Sequence, residues 1–281
     1  MFIQKKAYAK INLYLKILDK LPNGYHNILT VMQRISLCDD IKINIKDKGS
    51  RSINIICSDK NIGGNTNTAY KAADLFLERS GLTWDIDIEI EKNIPVQAGL
   101  GGGSSDAAAV LLALNQHFSE MKFANNTYAF TEKELIKLAA EIGADVPFFV
   151  KNKSRAQCRG IGEIITPVRA KLKGYHVLIA KPAYNISTKK AFEDFDNFRN
   201  ANQFCEFNKY KNDFTALAFS QNENLKTIRG LILEYGASES ELTGSGSALF
   251  GIFDDFNKAQ KCKNTIGLRN DIEFCDMFNY V

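Results

Sequence analysis

The segment Pro95 to Asp106, PVQAGLGGGSSD, constrains this chain more than any other stretch. Gly99, Gly101, Gly102 and Gly103 stand close together, and two serines, an aspartate and the run AAAVLLAL follow. Upstream, residues 85–91 read DIDIEIE, an acid–isoleucine alternation with the period of a half-buried strand. Downstream, Ser and Asp precede strong helix formers, as at a helix start. The order is therefore strand, glycine-rich loop, helix. Such a loop exposes successive backbone N–H groups with no Cβ in the way, and the helix adds its positive end, which together suit a phosphate. A short glycine pair is usually only a turn, but this run is longer than a turn needs, and each glycine costs chain entropy on folding. No Gly-Lys-Ser/Thr follows, so it is not a Walker A loop. It is not GxGxxG either, because the last place falls on Ser104.

The remaining bounds are broad. A chain of 281 residues suffices for one large domain or two modest ones sharing a cleft. A net charge of +4, with basic residues spread throughout, is too mild for a nucleic-acid surface but compatible with a polyanionic small substrate. Cys38, Cys57, Cys158, Cys205, Cys262 and Cys275 are scattered without CxxC spacing, which indicates neither zinc nor a disulfide framework. The start MFIQKK lacks a signal-peptide core, and no apolar run approaches the roughly 20 residues of a membrane span. The expected compartment is the cytoplasm.

Other stretches carry weaker signals. In AYAKINLYLKIL, residues 7–18, Ala7, Ala9, Ile11, Leu13, Leu15 and Ile17 form one strand face. Lys10, Asn12 and Tyr14 share the other, which alone reads as solvated. LPNGYH, residues 21–26, is a turn with Tyr25 and His26 just past it. Thr131 to Glu134 is a capping box opening a helix that ends at Gly143, a favourable residue just beyond a helix. Asp145 follows, and by itself reads as a helix cap. Strands are expected at 41–45, 53–57 and 174–181, a glycine turn running into a strand at 159–168, and helices at 65–79 and 225–235. A loop is expected at 119–130, and a weakly specified stretch at 192–211. LTGSGSALFGIF, residues 242–253, is a second small glycine–serine loop running into a strand.

Side by side, AKINLYL, PVQAGLGGGSSDAA and LTGSGSALF resemble, in order, the three signatures of the GHMP kinase superfamily. LPNGYH, GADVPFF (143–149) and GIGE (160–163) resemble the branch of it that phosphorylates a cytidine-diphosphate ester of methylerythritol on its 2-hydroxyl for isoprenoid precursor synthesis. The resemblance implies an α+β, two-domain fold with the active site in the cleft between domains. Residues 1–153 would form the ATP-binding domain and 154–281 the substrate side. It implies ATP and Mg²⁺ as cofactors and a small-molecule cytidine diphosphate substrate, with no nucleic-acid or membrane partner, in a monomer or weak homodimer.

It also implies roles for individual residues. Lys10 and Asp145 would be the catalytic pair. Pro95, Val96, Gln97, Ala98, Gly99, Leu100, Gly101, Gly102, Gly103, Ser104 and Ser105 would hold the ATP phosphates. Tyr25 and His26 would meet the cytosine, Phe192 would stack on its other face, Thr188 would add a polar contact, and Asn12 would hydrogen-bond the polyol. Help with Mg²⁺ would come from Ser104, Ser105 or Asp145, with the choice left open. Gln97 departs from the small residue common at its position, and Ser245 and Ser247 stand where Thr and Ala are common. Three alternatives stay open: another kinase of the superfamily acting on homoserine, mevalonate or a sugar; a non-catalytic nucleotide-binding relative; and a dinucleotide oxidoreductase, against which the failed GxGxxG spacing argues.

Overall fold

A computed structural model describes residues 1–47, 49–121, 128–169, 174–201 and 210–281. Parts of the expected loop at 119–130 and of the stretch at 192–211 lie outside the described residues, as does Cys205.

The chain opens with a long hairpin. β1, Phe2–Lys20, pairs antiparallel with β2, His26–Lys46, across the LPNGYH turn. The pairing shifts register between Tyr8 and Lys10 and again between Asn12 and Tyr14. β3, Ser52–Cys57, and β4, Asp85–Glu91, run parallel and are joined through α1, Thr68–Ser80. The glycine loop leads from β4 into α2, Gly102–Glu120. α3, Glu132–Ile142, carries the expected capping box, and α4, Val146–Val150, follows at once. β5, Arg155–Gly160, and β6, Ile164–Pro167, complete the larger sheet in the order β3-β4-β2-β5-β6, with β1 on β2.

The smaller sheet has the order β10-β7-β9-β8. It contains β7, His176–Pro182. α5, Thr188–Ala201, α6, Phe214–Gln221, and α7, Glu223–Glu234, come next. β8, Glu239–Leu242, and β9, Leu249–Phe253, flank the late glycine loop, and α8, Phe256–Gly267, precedes β10, Ile272–Asn279. The expected division at 153/154 leaves β5 and β6 on its C-terminal side, yet both strands hydrogen-bond into the larger sheet.

Packing explains why α2 is central. Its apolar run buries Ala107, Val110, Leu111, Leu114 and Phe118 against α1, α3 and the larger sheet. Truncating a buried aromatic such as Phe118 to Ala would cost about 3–5 kcal/mol. A second core gathers the smaller sheet and α5 to α8. A third joins the halves: Ala9 and Ile11 from β1, Ala98 and Leu100 from the glycine loop, and Ile179 and Phe250 from the smaller sheet. The loop is thus held from beneath by its own apolar side chains.

Two local expectations change. Gly143 has φ of 178°, extended backbone open to any residue, so no left-handed conformation requires glycine there. Asp145 stands at the start of α4 but its side chain makes no capping hydrogen bond.

Candidate active site

A cavity of about 1050 Å³ opens between the two halves. The glycine loop, Lys10 and Asp145 line it. Its walls also include Asn61, Ile62, Thr66, Asn67 and Thr68, and Tyr25, His26, Thr188, Phe192 and Phe214.

Lys10 is 2% exposed, so the reading of its strand face as solvated fails. The register shifts on either side of Lys10 and Asn12 allow the hairpin to bury both faces at this point. The Lys10 N–H donates to the Leu100 carbonyl at 2.9 Å, which ties β1 to the glycine loop. Its Nζ donates to Asn12 Oδ1 at 2.6 Å and lies 3.3 Å from Asp145 Oδ2. Burial of an ammonium is tolerated because a carboxylate and an amide oxygen face it. The Asp145 side chain is 28% exposed to the cavity, so one end of the pair stays open to a substrate.

Asn12, expected on the polyol, lines the same cavity beside Lys10. It is 1% exposed, and protein groups bond to both ends of its amide. Oδ1 accepts from Lys10 Nζ and from the Gly244 N–H at 2.9 Å, and Nδ2 donates to Thr30 Oγ1 at 2.8 Å. It orients Lys10 and fastens the late loop.

The two glycine loops dock on each other and on Lys10. The Ala248 N–H donates to the Ala98 carbonyl at 3.3 Å. Gly99 has φ of +72°, and a Cβ there would fall 2.0 Å from the Thr243 carbonyl oxygen. Gly101, also at +72°, would put a Cβ 3.1 Å from Lys10 Cγ. These glycines serve loop-to-loop and loop-to-lysine contacts that no side chain permits. No side chain caps α2, so its first-turn N–H groups are available to an anion in the cavity. Pro95 to Ser104 all line the cavity, whereas Ser105 is buried and does not. Gln97 lies in the left-handed region at φ of 54°, unusual for a residue with a Cβ.

Under the loop sits a charged triad that the sequence did not announce. Lys92 Nζ contacts Asp39 and lies 2.7 Å from Asp106 Oδ2. Asp39 Oδ1 also accepts the N–H groups of Asn93 and Ile94, at 2.6 and 2.8 Å, which fixes the chain just before the loop. Burial pushes the Asp106 carboxyl up to about 7, against the pull of Lys92. Its Oδ1 has no hydrogen-bond partner. Near Lys10 and Asp145, burial and then the Asp145 charge push the Cys158 thiol up to about 12, so it is no nucleophile at neutral pH.

At the aromatic end, Tyr25 is 58% exposed and lines the cavity wall. The ring of His26 stacks on Phe192, centroids 5.0 Å apart and planes inclined by 19°. A face of Phe192 is therefore covered by His26 itself. Thr188 Oγ1 lies 3.1 Å from Ser245 Oγ, which links α5 to the late loop.

Comparison with known proteins bears directly on this geometry. A model of the GHMP kinases N terminal domain matches residues 67–153, and one of the GHMP kinases C terminal domain matches residues 188–269. A 4-diphosphocytidyl-2-C-methyl-D-erythritol kinase of Clostridium tetani is 39% identical over 92% of this chain and 93% of its own length. The chain belongs to the GHMP kinases. A protein of the same name from Clostridium novyi is 36% identical over the same share of each chain. A crystal structure of 4-(cytidine 5'-diphospho)-2C-methyl-D-erythritol kinase superposes with a TM-score of 0.76 at 28% identity, covering 99% of this chain and 100% of that one.

Membership makes the chain an ATP-dependent small-molecule kinase with the two-domain α+β fold of the GHMP kinases. Among the described residues no helix is long and apolar enough to cross a membrane. The cavity also brings in residues the sequence reading missed. Asn61, Ile62, Thr66, Asn67 and Thr68 line it from two single-turn helices and the start of α1, where polar residues follow no period. Lys92 reads in sequence as one more surface lysine.

Proposed function

We propose that this kinase transfers the γ-phosphoryl group of ATP to the 2-hydroxyl of 4-diphosphocytidyl-2-C-methyl-D-erythritol. The observation that carries the reading is the Lys10–Asp145 pair, 3.3 Å apart, in a cavity lined by both the glycine loop and aromatic side chains. The curated relatives of that name support the choice of substrate.

Phosphoryl transfer depends chiefly on positioning and charge stabilisation. The N–H groups at the start of α2 hold the β- and γ-phosphates. Asp145 accepts the proton of the attacking hydroxyl as the new O–P bond forms and the bond to the ADP oxygen breaks. Lys10 holds the hydroxyl oxygen and the incoming phosphoryl charge. Asn12 aims Lys10. Tyr25 and Phe192 supply ring surface to the pyrimidine, and the backbone of His26 reads its edge.

Mg²⁺ fits this donor set as an ion brought by the nucleotide. Among the described residues no group of three His, Cys, Asp or Glu side chains forms a metal cage. Ser104, which lines the cavity at the start of α2, would help to hold the ion through its hydroxyl. When bound, Mg²⁺ neutralises charge on the phosphates.

The test is an ADP-release assay with the cytidine substrate, its uridine analogue, homoserine and mevalonate. Turnover with the cytidine compound well above the other three supports the reading. Equal or greater turnover with homoserine or mevalonate overturns it.

A further inference from the structure

α5 presents a stripe of three residues to the cavity at a spacing of four: Thr188, Phe192 and Asp196. This spacing places them on one helix face, while Ala191 and Phe195 turn into the core. Thr188 meets the late loop and Phe192 meets the His26 ring. Asp196 is the third, and the mechanism above leaves it without a role. Its Oδ1 lies 2.7 Å from His26 Nε2, and its Oδ2 accepts from Lys20 Nζ at 2.7 Å. Both contacts reach the two ends of the LPNGYH turn, since Lys20 closes β1 and His26 opens β2. Arg199, three residues on, donates to the Leu18 carbonyl at 2.7 Å.

The chemistry of the His26 contact is directional. Burial works against the Asp196 charge, yet hydrogen bonds from Lys20 and His26 hold its carboxyl below the usual range. An ionised carboxylate only accepts, so His26 Nε2 carries the proton. The imidazole is then held at its edge by Asp196 and on its face by Phe192, and it cannot turn without losing both. The side chain of His26 is buried and engaged in this way.

We propose that Asp196 is a positioning residue for pyrimidine recognition, locking His26 against Phe192 and thereby fixing the backbone of the Tyr25–His26 turn. The inference rests on the proposed cytidine substrate. Its consequence is selective: the cytidine end loses affinity when Asp196 is lost, and the ATP end does not.

The test uses the full-length chain, with calorimetric titration of CDP and of ATP and the ¹⁵N NMR signals of His26. Asp196→Ala is expected to weaken CDP roughly tenfold, the scale of one charge-assisted hydrogen bond, to leave ATP within about twofold, and to shift the His26 Nε2 resonance. Asp196→Asn, which keeps an acceptor oxygen, is expected to recover most of the CDP affinity. A wild-type chain that does not bind CDP overturns the substrate reading and this inference with it. A wild-type chain that binds CDP beside an Asp196→Ala variant of equal affinity overturns this inference alone. Equal weakening of CDP and ATP also overturns it, because it marks a general loss of structure.

Discussion

The side chain of Lys10 runs past Gly101 so closely that a Cβ there would come within 3.1 Å of its Cγ and 3.2 Å of its Cε. On its other side, a Cβ on Gly244 would lie 3.3 Å from Lys10 Nζ. The lysine is thus threaded between the two glycine loops, and its distance to Asp145 depends on both.

Gly101→Ala follows from this contact. The new methyl presses on Lys10 and on the Phe149 ring, and its backbone angle of +72° disfavours any side chain. Turnover is expected to fall by on the order of 10²-fold, as for a displaced catalytic group, with a much smaller change in ATP affinity. Steady-state rates beside an ATP titration check it.

Gly99→Ala strikes the loop-to-loop contact instead. Its Cβ would overlap the Thr243 carbonyl, so the loops must part. A stability loss of about 1–3 kcal/mol or more is expected, read as the urea midpoint. Gly102 differs again: a Cβ there first meets Ile94 at 3.1 Å and Lys92 Nζ at 3.3 Å, so Gly102→Val disturbs the triad as well as a bound phosphate. Weaker ATP binding is expected, together with some loss of stability.

Asp106 sets a pH dependence. Burial raises its folded-state carboxyl to about 7, above the unfolded value of 3.8. The folded state therefore favours the protonated form, and this contribution is complete below the unfolded value and lost as pH rises through about 7. Asp106→Asn is expected to flatten the fall in melting temperature between those limits. Melting curves across the range, for wild type and variant, check it.

Tyr25→Ala removes ring surface from the open wall. The KM for the cytidine substrate is expected to rise by roughly tenfold or more, the scale of one stacked base. The cytidine-over-uridine preference should survive, because stacking does not distinguish pyrimidines. Competition between the two substrates measures both effects.

The sequence was most readable where chemistry is local. Alternation in DIDIEIE, the glycine run and the Thr131 capping box each specify their own element, and β4, the loop and the α3 start follow them. It was least readable where partners come from afar. Alternation puts Lys10 and Asn12 on an open face, but the register shifts and the late loop bury them. Asp145 has the look of a cap until Lys10, far away in sequence, is set beside it. Asn12 is taken up by Gly244, Phe192 is half covered by His26, and Lys92 gains two carboxylates from separate elements. None of these pairings has a local signature.

The central claim, that transfer takes place at the Lys10–Asp145 pair, is tested most directly by single-turnover phosphoryl transfer in Asp145→Asn at saturating ATP. The account predicts a rate lower by roughly 10²-fold or more, with an ATP dissociation constant close to wild type. A rate near that of wild type would contradict it.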